Sequence, residues 1–395
     1  MTGPILRAVA HWLRIRIVSA WGTVLTLRRA GAGLALCTVL LVMSAAPASA
    51  HTVAGQGATN YRTTFESISP PTPGLSVRVL DAGSFIELTW TGGYDLTVLG
   101  YDREPYLRLG PDGVYRNRLS TATYLNVSRV LGPVPAYADD TAPPQWVKLS
   151  SGRSVVWHDH RIHWMGGPTA PDILAAPGAV HLVDDWQILL TSARLTAELP
   201  QGVAPTVTIA GRLDWAPGPS PWPWTAVLVV LAAVGIAAGF GRRWANILVG
   251  LLVVLIAVDV VHAFGTGLDQ YGSVLHKLLF VVAGSYYSMV AWVVGVIAIR
   301  LLARRNTDGL FAAVFTGLVI GLFGGAADAV ALARSQVPFL WGAAVDRGLI
   351  AISCGAGAGV FAGAIIAYRR NRPEVPGGTA VADDAAAVAV SGSGP

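Results

Sequence analysis

Five long runs of apolar residues in the second half of the chain constrain the fold most strongly. They cover roughly 223–240, 245–264, 274–301, 310–332 and 346–368. Each run is long enough to cross the hydrocarbon core of a bilayer, which takes about 20 residues of helix. Together they raise the mean hydropathy of the chain to +0.52 and leave only 13% of its residues charged. The sequence therefore predicts an α-helical transmembrane domain of about five spans over 224–368, embedded in a lipid bilayer.

Arginines in the connections between these runs predict the orientation of the domain. They follow the first run (Arg242, Arg243), the third (Arg300, Arg304, Arg305) and the fifth (Arg369, Arg370, Arg372). Cytoplasmic loops carry an excess of Arg and Lys, so these alternate connections are expected in the cytoplasm. The chain before the first run is then extracytoplasmic, and the protein is a multi-pass protein of the cell membrane. The tail 369–395 has no periodicity and is expected to be disordered and cytoplasmic.

Residues 1–50 have the three parts of a secretory signal peptide. Arg28 and Arg29 precede an apolar run at 30–46, and Ala48-Ser49-Ala50 is a small-residue cleavage motif. Cleavage after Ala50 would make His51 the mature N-terminus. An uncleaved anchor would give the same orientation and stays an alternative, as does a start of translation at Val24.

Without the leader, the chain has no net charge. Five of its 28 basic residues lie in the leader, which has no Asp or Glu, so 23 basic and 23 acidic residues remain. Binding to nucleic acid depends on clustered positive charge that contacts phosphates. Nucleic acid is therefore not an expected partner, whereas the bilayer and other envelope proteins are.

Residues 51–216 alternate between short β-type runs and turn signals. The runs include Leu75–Leu80, Phe85–Trp90, 96–101, 180–191 and 206–215, and breaks such as Gly92-Gly93 and Pro143-Pro144 separate them. Many short strands at this spacing predict an extracytoplasmic all-β sandwich, Ig-like or cupredoxin-like. The Pro-rich segment 217–223 is interpreted as a stiff linker to the membrane domain.

Three histidines lie close together in the segment 157–165 (WHDHRIHWM). If this segment is an extended strand, His158 and His160 share one face and His163 lies on the other. Two imidazoles on one face of a strand can chelate a metal ion. We therefore expect the pair His158 and His160 to be the centre of any metal site.

Other residues of the exported region could complete such a site. His51 would offer its ring and its terminal amine, and Met165 would offer a soft thioether. The exported location and these ligand types favour copper over zinc. The alternative is a structural role, in which the histidines satisfy structural hydrogen bonds and Asp159 with Arg161 forms a buried polar network. The candidate metal ligands are His51, His158, His160, His163 and Met165.

The membrane domain carries a second group of ionisable residues. Asp259 and His262 are three residues apart in the second run and share a helix face, and His276 opens the third run. Ionisable side chains within a membrane are costly, and they mark sites or pathways by default. Asp259, His262 and His276 are therefore a candidate membrane site near the outer leaflet, at the depth also expected for Asp328 and Asp346.

Glycines recur every four residues in the fourth and fifth runs, as Gly317, Gly321 and Gly325, and as Gly355, Gly359 and Gly363. Such faces let two membrane helices approach closely. We expect the two triplets to pack against each other.

Three segments of the exported region carry a resemblance to a known family. They are GYDREPYLRL (100–109), TATYLN (121–126) and WHDHRIHWM (157–165), and they resemble an actinobacterial family of exported membrane proteins. The layout is also similar to that of copper-uptake proteins of the CopC–CopD type, in which a small β-domain beginning with His precedes a helical membrane domain. The second resemblance implies copper as cofactor, although the stretch after His51 departs from the CopC pattern. Neither resemblance implies catalytic residues.

Three functions fit this sequence. The first is a cell-envelope copper-binding membrane protein that captures the ion on its exported domain and passes it to, or senses it at, the membrane site. The second is a non-catalytic envelope protein that binds other proteins. The third is an exported metal-dependent enzyme, which is less favoured because the sequence lacks a P-loop, Gly-x-Ser-x-Gly in the exported region, His-Glu-x-x-His and Cys-x-x-Cys.

Overall fold

A computed structural model describes residues 57–127, 132–166, 169–192 and 207–371. The predicted signal peptide, His51 and the tail from residue 372 lie outside these ranges. Within them, a β-rich region precedes a set of long apolar helices, as predicted. All sheet pairings are antiparallel.

Ten strands are present in the described part of the β-rich region. They are β1 (Tyr61–Ser69), β2 (Leu75–Leu80), β3 (Phe85–Trp90), β4 (Leu96–Leu99), β5 (Pro105–Gly110), β6 (Gly113–Asn117), β7 (Trp146–Ser150), β8 (Ser154–His158), β9 (His181–Thr191) and β10 (Val207–Trp215). One sheet has the order β1-β10-β9-β4-β5-β6-β7, and the other has the order β2-β3-β8. A 3₁₀ turn (Asp81–Gly83) and two short helices, α1 (Ala122–Leu125) and α2 (Pro171–Ala175), complete this region.

The two sheets share one hydrophobic core. In β3 every second residue is buried, including Ile86 and Leu88, because side chains of a strand alternate between its faces. These residues belong to the same buried cluster as Leu107 of β5, Ile188 of β9 and Ile209 of β10. The strand β8, which leads to the histidine segment, is anchored to this core through β3.

The helical region contains five α-helices and one 3₁₀ helix among the described residues. They are α3 (Trp222–Phe240), α4 (Trp244–Asp269), α5 (Val274–Ala303), α6 (Gly309–Phe323), the 3₁₀ helix (Ala326–Ala333) and α7 (Ala343–Arg370). Four of them, α3, α4, α5 and α7, are individually long and apolar enough to cross a membrane. The helical part of the prediction is thus confirmed as four or five candidate spans, the fifth depending on a broken helix.

The fourth predicted run is that broken helix. The α-helix α6 stops at Phe323, and after Gly324 and Gly325 the 3₁₀ helix continues at an angle of 40°. A side-chain carbon at Gly324 would collide with the carboxylate of Asp259, and one at Gly325 would crowd Cys354. Glycine at both positions therefore lets α4 and α7 approach the break.

The prediction that the two glycine triplets face each other is wrong in one respect. The fourth run does pack directly on α7, but Gly317 and Gly321 contact Gly357 rather than the triplet of α7. The triplet Gly355, Gly359 and Gly363 instead packs on α3, at Leu228, Leu231 and Gly235. α7 therefore lies between α3 and α6 and presents glycine to both helices.

The β-rich region contacts one end of the helical bundle. The backbones of Thr59 and Gln336 exchange hydrogen bonds of 2.9 and 2.8 Å, and the Asn60 side chain accepts one from the Ser335 amide. Phe85 of β3 also packs against Tyr271, in the loop between α4 and α5, with ring centroids 4.5 Å apart. These contacts join the β-rich region to the ends of α4 and α7 that bear the buried ionisable residues.

Candidate functional site

The histidine segment is a turn and not the extended strand that alternation predicted. β8 ends at His158, and the Ile162 amide donates to the Asp159 carbonyl at 3.3 Å. The Asp159 carboxylate also accepts from the Arg161 amide two residues on, a turn-forming bond typical of Asp. The chain therefore folds back immediately after His158.

This turn brings His158 and His163 together. Their Nε2 atoms are 2.9 Å apart, and both residues are buried. The expectation that His163 would lie on the face opposite His158 is wrong, because it assumed a strand through residue 165. The strand ends five residues before His163, so alternation does not apply to it.

Each of the two imidazoles is held through its other nitrogen. Nδ1 of His158 lies 2.6 Å from the carbonyl oxygen of Ser84, and Nδ1 of His163 lies 2.9 Å from that of Trp164. A carbonyl oxygen only accepts, so both Nδ1 atoms carry the proton and donate. In neutral imidazoles both Nε2 atoms then present lone pairs, which point at each other. Two lone pairs at 2.9 Å repel, and a shared cation, either a proton or a metal ion, removes this repulsion.

His160 lies beside the pair without completing a ligand set. Its ring centroid is 4.9 Å from that of His158 and 5.6 Å from that of His163. Among the described residues, no group of three or more His, Cys, Asp or Glu is arranged to hold one metal ion. Met165 is 43% exposed, and His51 lies outside the described ranges. The structure thus brings together His158 and His163, with His160 as a neighbour.

A buried ion pair supports the turn. Asp159 is fully buried, and it accepts from the guanidinium of Arg161 at 2.8 and 2.9 Å and from the Trp157 indole at 2.8 Å. Burial alone would raise the pKa of Asp159, but the charge and hydrogen bonds of Arg161 hold that pKa below its ordinary value. Arg161 also bonds to the Leu99 carbonyl, which ties the turn to the end of β4. The predicted network of Asp159 and Arg161 therefore exists, and it fixes the backbone that carries the histidines.

Two tyrosines extend this network. Tyr101 donates to the Asn126 side chain and accepts from the His160 amide at 3.2 Å. Burial, reinforced by the Asp159 carboxylate, raises the pKa of Tyr101, and burial also raises that of Tyr106. Both hydroxyls are therefore protonated at neutral pH. The positive charge of Arg161 lies over the Tyr101 ring, 5.1 Å from its centroid.

In the helical bundle, Asp259 and His262 are both buried, as expected of a shared helix face. Asp259 accepts from the Trp292 indole at 2.6 Å. His262 Nε2 lies 3.1 Å from Asp346 Oδ1 and 4.0 Å from Asp328 Oδ2. These groups come from α4, α5, the 3₁₀ helix and α7, so four elements converge on one polar cluster.

The third predicted member of the membrane site, His276, is not part of this cluster. It lies near the start of α5, and its ring centroid is 6.0 Å from that of Tyr271. Tyr271 packs on Phe85, and Phe85 lies edge-on to His158 with centroids 5.7 Å apart. His276 thus lies at the junction of the two regions. The partner of His262 is Asp346 and not His276.

Sequence reasoning missed the pairing of His158 with His163 and the partner Asp346. Asp159 was the available signal for the first, because Asp directly after a strand favours a tight turn. Asp346 was expected at the same membrane depth as His262, but no local pattern pairs the two, since they are 84 positions apart in the sequence. Comparisons with protein families, with curated proteins and with solved structures found no match to this chain.

Proposed function

We propose that this chain is an integral protein of the cell envelope that binds copper on its β-rich region through His158 and His163. The observation that carries the proposal is the pair of Nε2 atoms 2.9 Å apart, each on a ring whose Nδ1–H donates to a carbonyl. Histidines that bind metals are usually oriented in this way by their second nitrogen. Here the two rings are buried, and their Nε2 atoms face each other across 2.9 Å.

The separation of the two nitrogens fits a metal ion between them. With metal–nitrogen bonds of about 2.0 Å, the observed 2.9 Å corresponds to an angle of about 93° at the metal. Neighbouring ligands in a tetragonal Cu(II) site are about 90° apart. Two imidazoles leave coordination positions for solvent or for His160, whose ring lies beside the pair. Met165 and His51 stay predicted ligands. The Ig-like or cupredoxin-like type of the β-rich region stays a prediction.

Asp259 and His262 are proposed to receive or sense the ion in the membrane. Their cluster is buried, polar and close to the bundle end that contacts the β-rich region. The line from His158 through Phe85 and Tyr271 to His276 joins the two regions. We propose that an ion leaving the pair His158 and His163 enters the bundle along this junction.

The proposed orientation has a direct test. A reporter fused after Arg305 is expected to be active only in the cytoplasm, and a reporter in the loop at Gly272 only outside. Activity of the Arg305 fusion outside the cell would overturn the exported position of the β-rich region, and the envelope function with it.

Metal binding is tested by titrating the purified full-length protein in detergent with Cu(II) and Zn(II). We expect tighter binding of Cu(II), following the general order of divalent affinities. Removing a group that only orients a metal ligand costs roughly 10–100-fold in metal affinity. The variants H158A and H163A each remove a ligand itself, so each should lose more Cu(II) affinity than that. H181A is the matched control, because His181 lies in β9 and bonds to the Ala176 carbonyl.

Two results would contradict the proposal. If the wild-type protein binds no Cu(II), the pair shares a proton and its role is structural. If H163A binds like wild type, the ligands lie elsewhere. Turnover of a substrate by the copper-loaded protein would favour the enzyme alternative over transport or sensing.

A further inference from the structure

A cavity of about 250 Å³ lies next to the histidine pair, at the junction of the β-rich region and the bundle. His158 and Phe85 form one wall, and Tyr271 from the loop between α4 and α5 forms another. Arg116 of β6 and Asn126, which follows α1, also line it. Cavities at such junctions are common ligand sites, and this volume suits a ligand smaller than a typical drug molecule.

Arg116 is the charged group of this cavity. It is partly buried, and within the described ranges no carboxylate lies within ion-pair distance of its guanidinium. No Asp or Glu is among the described residues that line the cavity. The two lining tyrosines, Tyr106 and Tyr271, have raised pKa values because of their burial and carry no charge at neutral pH. Among its described lining residues, the cavity therefore has a positive charge without a counter-charge.

Asn126 adds a second donor. The residue is 7% exposed, and its carbonyl oxygen accepts from the Tyr101 hydroxyl. Its amide nitrogen is buried and makes no hydrogen bond of good geometry with a described residue, although the Tyr106 hydroxyl lies beside it. A buried amide donor that lacks a well-formed hydrogen bond is unfavourable, so a ligand that accepts from this nitrogen is favoured.

We propose that the cavity binds a small oxyanion, a carboxylate or phosphate group, between the Arg116 guanidinium and the Asn126 amide. A guanidinium matches the two oxygens of such a group, and an oxyanion satisfies both donors with one ligand. Since Tyr271 and Phe85 form its walls, the bound group contacts both regions of the protein. The group belongs either to a free small anion or to the headgroup of an anionic lipid at the membrane surface.

The binding test uses full-length protein in detergent with EDTA, so that its outcome does not depend on the copper proposal. Succinate and inorganic phosphate are the soluble probes, titrated by calorimetry. Nanodiscs of phosphatidylglycerol, compared with phosphatidylcholine, probe the lipid source. Loss of binding in Arg116→Gln by at least about tenfold, or about 1.4 kcal/mol, is expected for the probe that binds.

Arg118→Gln is the matched control, since the Arg118 guanidinium lies over the Tyr137 ring and does not line the cavity. Its binding should equal that of wild type. A measurement on the unchanged protein covers the case in which Arg116→Gln does not fold: a bound anion should slow the modification of Arg116 by phenylglyoxal. Binding of either a soluble anion or the anionic lipid supports the proposal and names the source. Failure of every probe to bind or to protect Arg116, or equal binding by Arg116→Gln, would overturn it.

Discussion

The β-rich region and the helical bundle both bury aspartate and histidine, but they compensate the charges differently. In the turn after β8, the partner of Asp159 is Arg161, two residues away. In the bundle, the partner of His262 is Asp346, which comes from another helix. The bundle cluster also contains Asp328 and Asp259, so its three carboxylates face one imidazole and the indole of Trp292.

This difference shows how far each site depends on contacts between distant parts of the chain. The turn makes its ion pair between residues two positions apart, so both partners are local in the sequence. The cluster of the bundle exists only after four helical elements have assembled, because α4 contributes Asp259 and His262 and each of the other three elements contributes one group. Asp159 and Asp346 are both buried, so an uncompensated charge is costly in either region.

The largest expected effect is on the ion pair of the turn. Asp159→Ala leaves the Arg161 guanidinium mostly buried without its carboxylate, and breaking such a pair costs about 3–5 kcal/mol. The free energy of unfolding of the β-rich region, followed by near-UV circular dichroism of the full-length protein, should fall by this amount. Asp95→Ala is the control, because Asp95 pairs with Arg108 at the surface and should cost less than about 1 kcal/mol. Equal effects of the two changes would show that burial does not distinguish these pairs.

A somewhat smaller loss is expected in the bundle from Asp346→Ala. The change removes the carboxylate 3.1 Å from His262, and a hydrogen bond to a charged group contributes about 1.5–3 kcal/mol. Stability in mixed micelles is the measurement. Asp308→Ala is the control, because this exposed aspartate precedes α6 and makes no side-chain cap bond. If Asp346→Ala is as stable as wild type, His262 does not rely on Asp346, and the contrast between the regions fails.

The packing of the bundle is tested by Gly235→Ala. An added methyl group would overlap the backbone of Gly359, so α3 and α7 must move apart, at a cost of about 1–3 kcal/mol. Gly250→Ala is the control, since no atom lies within 4 Å of a methyl group at that position of α4. The same micelle assay should separate the two variants. An unchanged Gly235→Ala would mean that α3 does not lie directly on α7.

The smallest effect is expected at the junction of the two regions. Asn60→Ala removes the acceptor of the Ser335 amide and should cost about 0.5–1.5 kcal/mol. Hydrogen exchange at Ser335 should become faster, while exchange in the core strand β9 stays unchanged. Unchanged exchange at Ser335 would indicate that the two regions are not held together at this point.

Strands with regular alternation could be predicted from the sequence almost to the residue. β2 and β3 have the predicted bounds, β9 starts one residue after its predicted run, and β4 ends at Leu99, two residues before the end of its run. Alternation succeeds here because these strands bury one face in a common core. It failed after His158, where the side chain of Asp159 bonds to the backbone and ends the strand. The signal for that turn was Asp159 alone, whereas the alternating pattern extended over the nine residues 157–165.

The candidate sites were less accessible to sequence reasoning. His158 and His163 meet because the Ser84 carbonyl, 74 positions away, orients one of the rings. The break in the fourth run was missed because hydropathy reports the composition of a helix and not its backbone hydrogen bonds. Gly324 and Gly325 look like one more small-residue face until the positions of Asp259 and Cys354 are known.

The early end of α6 has a consequence for the surrounding lipid. With 15 residues at 1.5 Å each, α6 spans about 22 Å, whereas the hydrocarbon of a typical bilayer is about 30 Å thick. If the bent pair is one span, the 3₁₀ helix that carries Asp328 supplies the remaining length. A thinner bilayer would need less of this helix to be covered by acyl chains. The protein should be more stable in membranes of short-chain lipids than in thick ones. The acyl-chain length of the bilayer should therefore affect the stability of the buried cluster.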